Sequence, residues 1–149
     1  MIKCFLQAFA NRPNSPALVL KVNGANFSIL DKHEVVKNIN QIKDEFSQVD
    51  NLPNIYLIHG DLTIEEMSLL YNNPKIKAFL TCTHGEGYGR PMAEATCCDL
   101  PVIASNWSGH LDFLSDKDSL MINGSLTEVA TDTPTQPAKI KLPKLKKMT

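Results

Sequence analysis

Long apolar runs are what this sequence most plainly lacks. None approaches the about 18 residues that carry a helix across a membrane, and the first apolar patch, preceded by a single lysine, is broken by Gln7 and fits no secretory leader. Cysteine is scarce and badly placed for a disulfide framework. Of the four, Cys97 and Cys98 are adjacent, and no C-x-x-C or H-x3-H partner accompanies Cys82 or His84 to hold a metal. A reducing cytoplasm is the expected compartment, with no cofactor and no metal. Strong net charge is missing too, at a formal -1. That balance hides an asymmetry, because five of the 15 basic residues lie in 139–149, where there is no acid. A lysine-rich end without aromatics is expected to be solvated, and no nucleic acid is expected as a partner. Two phosphate signatures are also absent: no Walker Gly-Lys-Ser/Thr occurs, and Arg90 stands where a dinucleotide fingerprint needs its third glycine.

What is present suffices for one core, since the chain has 149 residues of which 43% are hydrophobic. Ile2, Phe5, Leu6 and Phe9 recur at helical spacing and predict an amphipathic helix ending before Pro13. A membrane-surface helix is disfavoured, because its polar face is not basic. ALVLKV at 17–22 reads as a buried parallel strand. Lys21 at its end either faces a site or snorkels to solvent. Asp31 and Glu34 read as a helix cap, followed by an apolar face of Val35, Ile39, Ile42 and Phe46 as far as Gln48. A strand at 55–59 follows. Thr63 with Glu66 then reads as the cap of a helix that turns Ile64, Met67, Leu70 and Tyr71 inward. Further strands are expected at 76–82, 101–105 and 119–123. This alternation predicts an α/β class, a Rossmann-like parallel sheet flanked by helices, over residues 1–126, with a loose basic tail at 127–149.

The stretch that organises the chain is 83–114, THGEGYGRPMAEATCCDLPVIASNWSGHLDFL, with Glu86 and Glu94 at its centre. Gly85, Gly87 and Gly89 lack the Cβ atoms that would hold a ligand off the backbone, and they permit positive φ. Pro91 suits the first position of a helix, so the loop should feed a helix N-terminus that favours an anion. In that setting Glu86 can accept hydrogen bonds from ligand hydroxyls, and Glu94, about one turn into the helix, can grip a vicinal diol such as a ribose. Acidic groups for hydroxyls beside amides for phosphates point to a sugar nucleotide.

The order Glu-Gly-aromatic-Gly, then Pro, then Glu-Ala, a short helix and Pro-Val-Ile-Ala-Ser resembles the Glu-x7-Glu region of retaining GT-B glycosyltransferases of the family 4 type. The likeness extends over 55–123. CFLQAFANRPNSPALVLKV is similar to the helix and second strand of that family's C-terminal nucleotide-sugar domain. The resemblance implies a nucleotide-diphospho-sugar donor. It gives Glu86 to the transferred sugar as the catalytic candidate, Glu94 to the ribose, and the backbone of Gly87, Tyr88, Gly89 and Arg90 to the phosphates and sugar. It also makes His59, Gly60 and Asp61 candidates for the base, against an ordinary strand-to-helix turn. It brings the loop with Trp107, Ser108, Gly109 and His110 near the donor sugar or the acceptor, although Trp107 could equally plug the sheet edge and His110 start a helix.

The sequence departs from that family at several points. By the resemblance, the arginine and lysine that neutralise the diphosphate, the first strand and the closing helices are expected to be missing, Asp99 stands where a glycine is usual, and Arg90, at an often apolar position, is a candidate substitute cation. The expectation is a donor-binding half that alone transfers nothing, with an acceptor-domain partner or self-association at the strand edge beside 17–22. The alternative is a non-catalytic nucleotide-sugar-binding module or pseudoenzyme fragment. A glycosidase carboxylate pair is disfavoured, because a glycine loop and helix start suit phosphate rather than a hydrolytic acid and base.

Overall fold

The alternation of apolar strands with amphipathic helices folds as an α/β chain, and the computed structural model describes residues 1–23, 29–127 and 142–145 of it. Two units, Met1–Thr63 and Ile64–Thr149, divide the chain.

In the first unit, α1 (Ile2–Phe9) buries Leu6 completely, as its spacing predicts. Strands β1 (Leu18–Val22) and β2 (Ile55–His59) pair in parallel, from Leu18 opposite Ile55 to Val22 opposite His59. Their crossover is α2 (Ile29–Asp44), whose Ile39 packs with Leu18 and Leu20, joined by Ile2, Phe5, Val35 and Leu57. The expected cap is corrected here. Helix α2 begins at Ile29, so Asp31 lies in its first turn, where a carboxylate meets the positive end of the helix dipole. Phe46 falls beyond the helix end, in a turn closed by its N–H on Lys43 O at 2.8 Å.

The second unit runs α3 (Ile64–Tyr71), β3 (Phe79–Leu80), α4 (Arg90–Cys97), β4 (Val102–Ser105), a 3-10 turn (Gly109–Asp112) and β5 (Ser119–Ile122). Strands β3, β4 and β5 form a parallel sheet in that order. Its core is Tyr71, Met92, Ala95, Leu100, Val102, Ala104 and Leu114. Ile64, expected to point inward, is 77% exposed, because the first turn of α3 extends past this core. Strand β3 is also shorter than the expected 76–82: the Ile76 N–H is drawn back onto Asn73 O at 2.9 Å, and pairing starts only at Phe79. A short antiparallel pair, β6 (Gly124–Thr127) with β7 (Leu142–Leu145), follows. Most of the expected basic tail, 128–141 and 146–149, lies outside the described residues.

Helix α4 ends in a Schellman motif, with the Leu100 N–H on Ala95 O at 3.1 Å and the Asp99 N–H on Thr96 O at 3.0 Å. Asp99 takes the left-handed position of that motif, at φ 54°, where a glycine would sit without strain. Asp99→Gly is expected to stabilise the chain by up to about 1 kcal/mol, the range for releasing a left-handed non-glycine residue. Urea denaturation checks this, and a lower midpoint would count against the assignment.

Candidate functional site

The loops after β3 and β4 leave the C-terminal ends of neighbouring parallel strands, the side on which open α/β sheets bind ligands. They are fastened to each other through Glu86. The Glu86 N–H donates to Ser108 Oγ at 2.9 Å, the same hydroxyl donates to Glu86 O at 2.8 Å, and the Gly109 N–H adds a bond to Glu86 O at 3.1 Å. Three residues upstream, Ser105 Oγ donates to Thr83 O at 3.0 Å. The contact leaves no room for a side chain at Gly109, where a Cβ would lie 2.1 Å from Gly87 O. Ser108 accepts φ 89° and ψ -171° to make it, a region almost restricted to glycine that costs about 1–3 kcal/mol.

The glycines of the first loop turn out to differ in role. Only Gly89 of the three has positive φ, at 90°, and it caps α4, where a Cβ would meet Met92 Cε at 2.5 Å and His110 Cβ at 3.1 Å. Around Gly87 a Cβ would meet nothing within 4 Å, so its surface is open to an approaching molecule. Helix α4 starts one residue earlier than expected, with Arg90 first and Pro91 second. Pro91 has no N–H and that of Met92 is bent onto Gly89 O at 2.9 Å, so Arg90 is the early helical residue whose amide an anion would meet. The Arg90 side chain turns along the helix, its Nε 2.7 Å from Glu94 Oε1. Arg90 is largely exposed, and a pair of this kind is worth at most about 1 kcal/mol, so a ligand diol can compete for Glu94.

Tyr88 is exposed and rests on Phe113, with ring centroids 4.9 Å apart, and Trp107 is 42% exposed. His110 is wholly buried, as the second residue of the 3-10 turn, with Nε2 2.6 Å from Ser105 O. It therefore braces the β4 loop from inside. Tyr71 is buried edge-on to Phe79, and burial, then the Glu94 carboxylate and Cys98, push its hydroxyl up to about 12. At the opposite end of the strands, an open depression of about 350 Å³ is lined by Thr96, Asp99, Leu100, Pro101, Val102 and Asp118.

The first unit holds its own candidates at the C-terminal ends of β1 and β2. Gly60 has φ 104° and donates its N–H to Val22 O at 3.1 Å. Lys21 Nζ donates to Asn23 Oδ1, and Asn23 Nδ2 to Asp61 Oδ1 at 2.7 Å. Lys21 is thus tied to the strand end. His59 Nε2 is buried with no hydrogen-bond partner. Among the described residues, no three His, Cys, Asp or Glu side chains gather as a metal site would need, and no helix is long and apolar enough to cross a membrane.

With a parallel α/β sheet and a fastened glycine loop at its C-terminal edge, the decisive comparison is with protein families. The family model "Glycosyl transferases group 1" matches residues 2–140. The chain belongs to the group 1 glycosyl transferases. Its architecture is that of the C-terminal-type domain of a GT-B glycosyltransferase, and the chemistry of the family is glycosyl transfer. No curated protein and no solved structure matches significantly. In this group 1 domain the structure brings Gly85, Glu86, Gly87, Ser108 and Gly109 together and pairs Arg90 with Glu94. The reading of the sequence missed Ser105, and missed that Ser108 acts on Glu86. The available signal was a Ser-x-x-Ser-Gly run that begins at the last residue of a strand.

Two outcomes follow from this geometry. Gly109→Ala is expected to destabilise the second unit by about 1–3 kcal/mol, as overpacking does, whereas Gly87→Ala stays within about 0.5 kcal/mol of wild type; denaturant titration of both variants compares them. Because the folded state holds the Tyr71 proton more tightly, its contribution is complete below about pH 10 and is lost as pH rises from 10 towards 12. Tyr71→Phe should flatten that alkaline fall, as measured by stability at about pH 9 and about pH 11.5.

Proposed function

We propose that this domain binds a nucleotide-diphospho-sugar and presents it for glycosyl transfer with retention, as the donor half of a family 4-type enzyme. The observation that carries the reading is the fastening of Glu86 by Ser108 and Gly109, in a loop that runs straight into the N-terminus of α4. Glu86 accepts hydrogen bonds from the transferred sugar's hydroxyls. The open backbone at Gly87 admits the donor, and the Arg90 amide with the dipole of α4 faces the diphosphate. Glu94 takes the ribose diol with one or both oxygens, sharing or releasing Arg90. The depression at the other strand end suits a diphosphate poorly, because Asp99 and Asp118 would repel it. For the base, His59 and Gly60 rest on the resemblance alone. The acceptor is assigned to none of these residues.

A non-catalytic sugar-nucleotide-binding module is the second reading, favoured by the same donor geometry if no transfer accompanies binding. Calorimetric titration with uridine, guanosine and adenosine diphosphates and their glucose conjugates tests the binding, and donor hydrolysis or transfer separates the two readings. Glu94→Ala is expected to weaken both kinds of ligand by about 1–3 kcal/mol, the range for charged hydrogen bonds, while Glu86→Ala weakens chiefly the conjugate. Equal losses on both ligands from both variants would remove this division of roles.

A further inference from the structure

We propose that Ser108 is a positioning residue for the donor sugar: its hydroxyl, on a strained backbone, fixes the main chain of Glu86 and with it the point and direction from which the carboxylate side chain reaches the sugar. This rests on the donor-site reading above and assigns Ser108 a part other than touching the donor.

A serine hydroxyl has one proton, and here it goes to Glu86 O at 2.8 Å while the oxygen accepts the Glu86 N–H at 2.9 Å. Both polar groups of one peptide residue are therefore held by one side chain 22 positions away. With its proton on Glu86 O, the part proposed for Ser108 is to hold Glu86 rather than to donate to a phosphate or sugar itself. A glycine at φ 89° and ψ -171° would follow the same path without strain. What serine adds at that strained position is the hydroxyl, and among the described residues both of its hydrogen bonds are to Glu86. The bond from Ser105 Oγ to Thr83 O pins the loop a second time, so the Glu86 side chain springs from the second of two fixed points. A carboxylate accepts from a sugar hydroxyl and from water alike, so direction is what favours the sugar, and direction is what a fixed main chain helps to supply.

The test compares Ser108→Gly, which removes both the hydroxyl and the strain, with Ser108→Ala, which removes only the hydroxyl. Three quantities are read: amide hydrogen exchange at Glu86, melting temperature, and affinity for uridine, guanosine and adenosine diphosphates and their glucose conjugates. In both variants the Glu86 amide should exchange about tenfold faster or more, as expected when one hydrogen bond is lost. Ser108→Gly should melt above Ser108→Ala. In both, the preference for the conjugate over the free diphosphate should drop by about tenfold. A hydroxyl that served only as structural glue would lower stability and affect the two ligands alike, and that result would overturn the proposal. So would wild-type protection of the Glu86 amide in either variant, or faster exchange with sugar preference intact. If the wild-type chain binds none of the six ligands, the donor-site reading falls, and the exchange rates alone uphold or overturn the hold on Glu86.

Discussion

Glu86 is held by its peptide groups, and the arrangement of the loops around it depends on that hold. Its N–H and C=O are both taken by Ser108, and Gly109 closes on the same carbonyl. A loop with three glycines in five residues would otherwise sample many backbone states, since glycine loses more freedom on ordering than any other residue. Hydrogen bonds from the neighbouring loop offset part of that entropy where the chain carries its carboxylate. The requirement passes outward from there: Gly109 must lack a Cβ, Ser108 must accept positive φ, and the β4 loop must turn sharply enough to bring both within reach.

The buried side of the same loops explains why that turn is stable. His110 fills the space beneath Gly89 and reaches Ser105 O, so the residue after the contact anchors the residue at the end of β4. Met92 packs against Gly89 from the helix side and belongs to the core shared with Ala95, Val102 and Ala104. The cap of α4 is thus fixed by core packing rather than by a side-chain hydrogen bond. On the outer side Tyr88 and Trp107 remain exposed, and Glu94 is paired with an exposed arginine. Rigid groups lie within and replaceable ones lie outside, which suits a surface whose polar groups exchange partners when a ligand arrives.

Much of this was legible in the sequence because the signals were local. The 3.6-residue stripe of Ile2, Phe5, Leu6 and Phe9 and the apolar runs at β1, β2 and β4 specify their own elements. Asp99 was legible as the end of α4 through the resemblance, which has a glycine there, and its φ of 54° is the left-handed value a glycine adopts freely. Boundaries were less legible where two signals competed. Asp31 and Glu34 fit a cap, but α2 starts two residues before Asp31, and Ile64 has the right spacing yet lies beyond the core. The fastening of Glu86 left only the Ser-x-x-Ser-Gly run as its trace in the sequence, because it joins a serine hydroxyl to backbone groups 22 residues away that every residue carries. A pattern of side-chain types says where a carboxylate is, and only the tertiary path shows what holds it.

Donor binding at the fastened loops, 83–89 and 105–110, would be seen in the amide chemical shifts of the isotopically labelled chain. The labelled chain is titrated with glucose conjugates of uridine, guanosine and adenosine diphosphate. Saturable shifts concentrated at 85–90 and at Ser108 and Gly109 are expected for at least one of the three. Saturable shifts at Asp99, Leu100 and Asp118, with 85–90 unmoved, would place the ligand at the other end of the strands and contradict donor binding at the fastened loops.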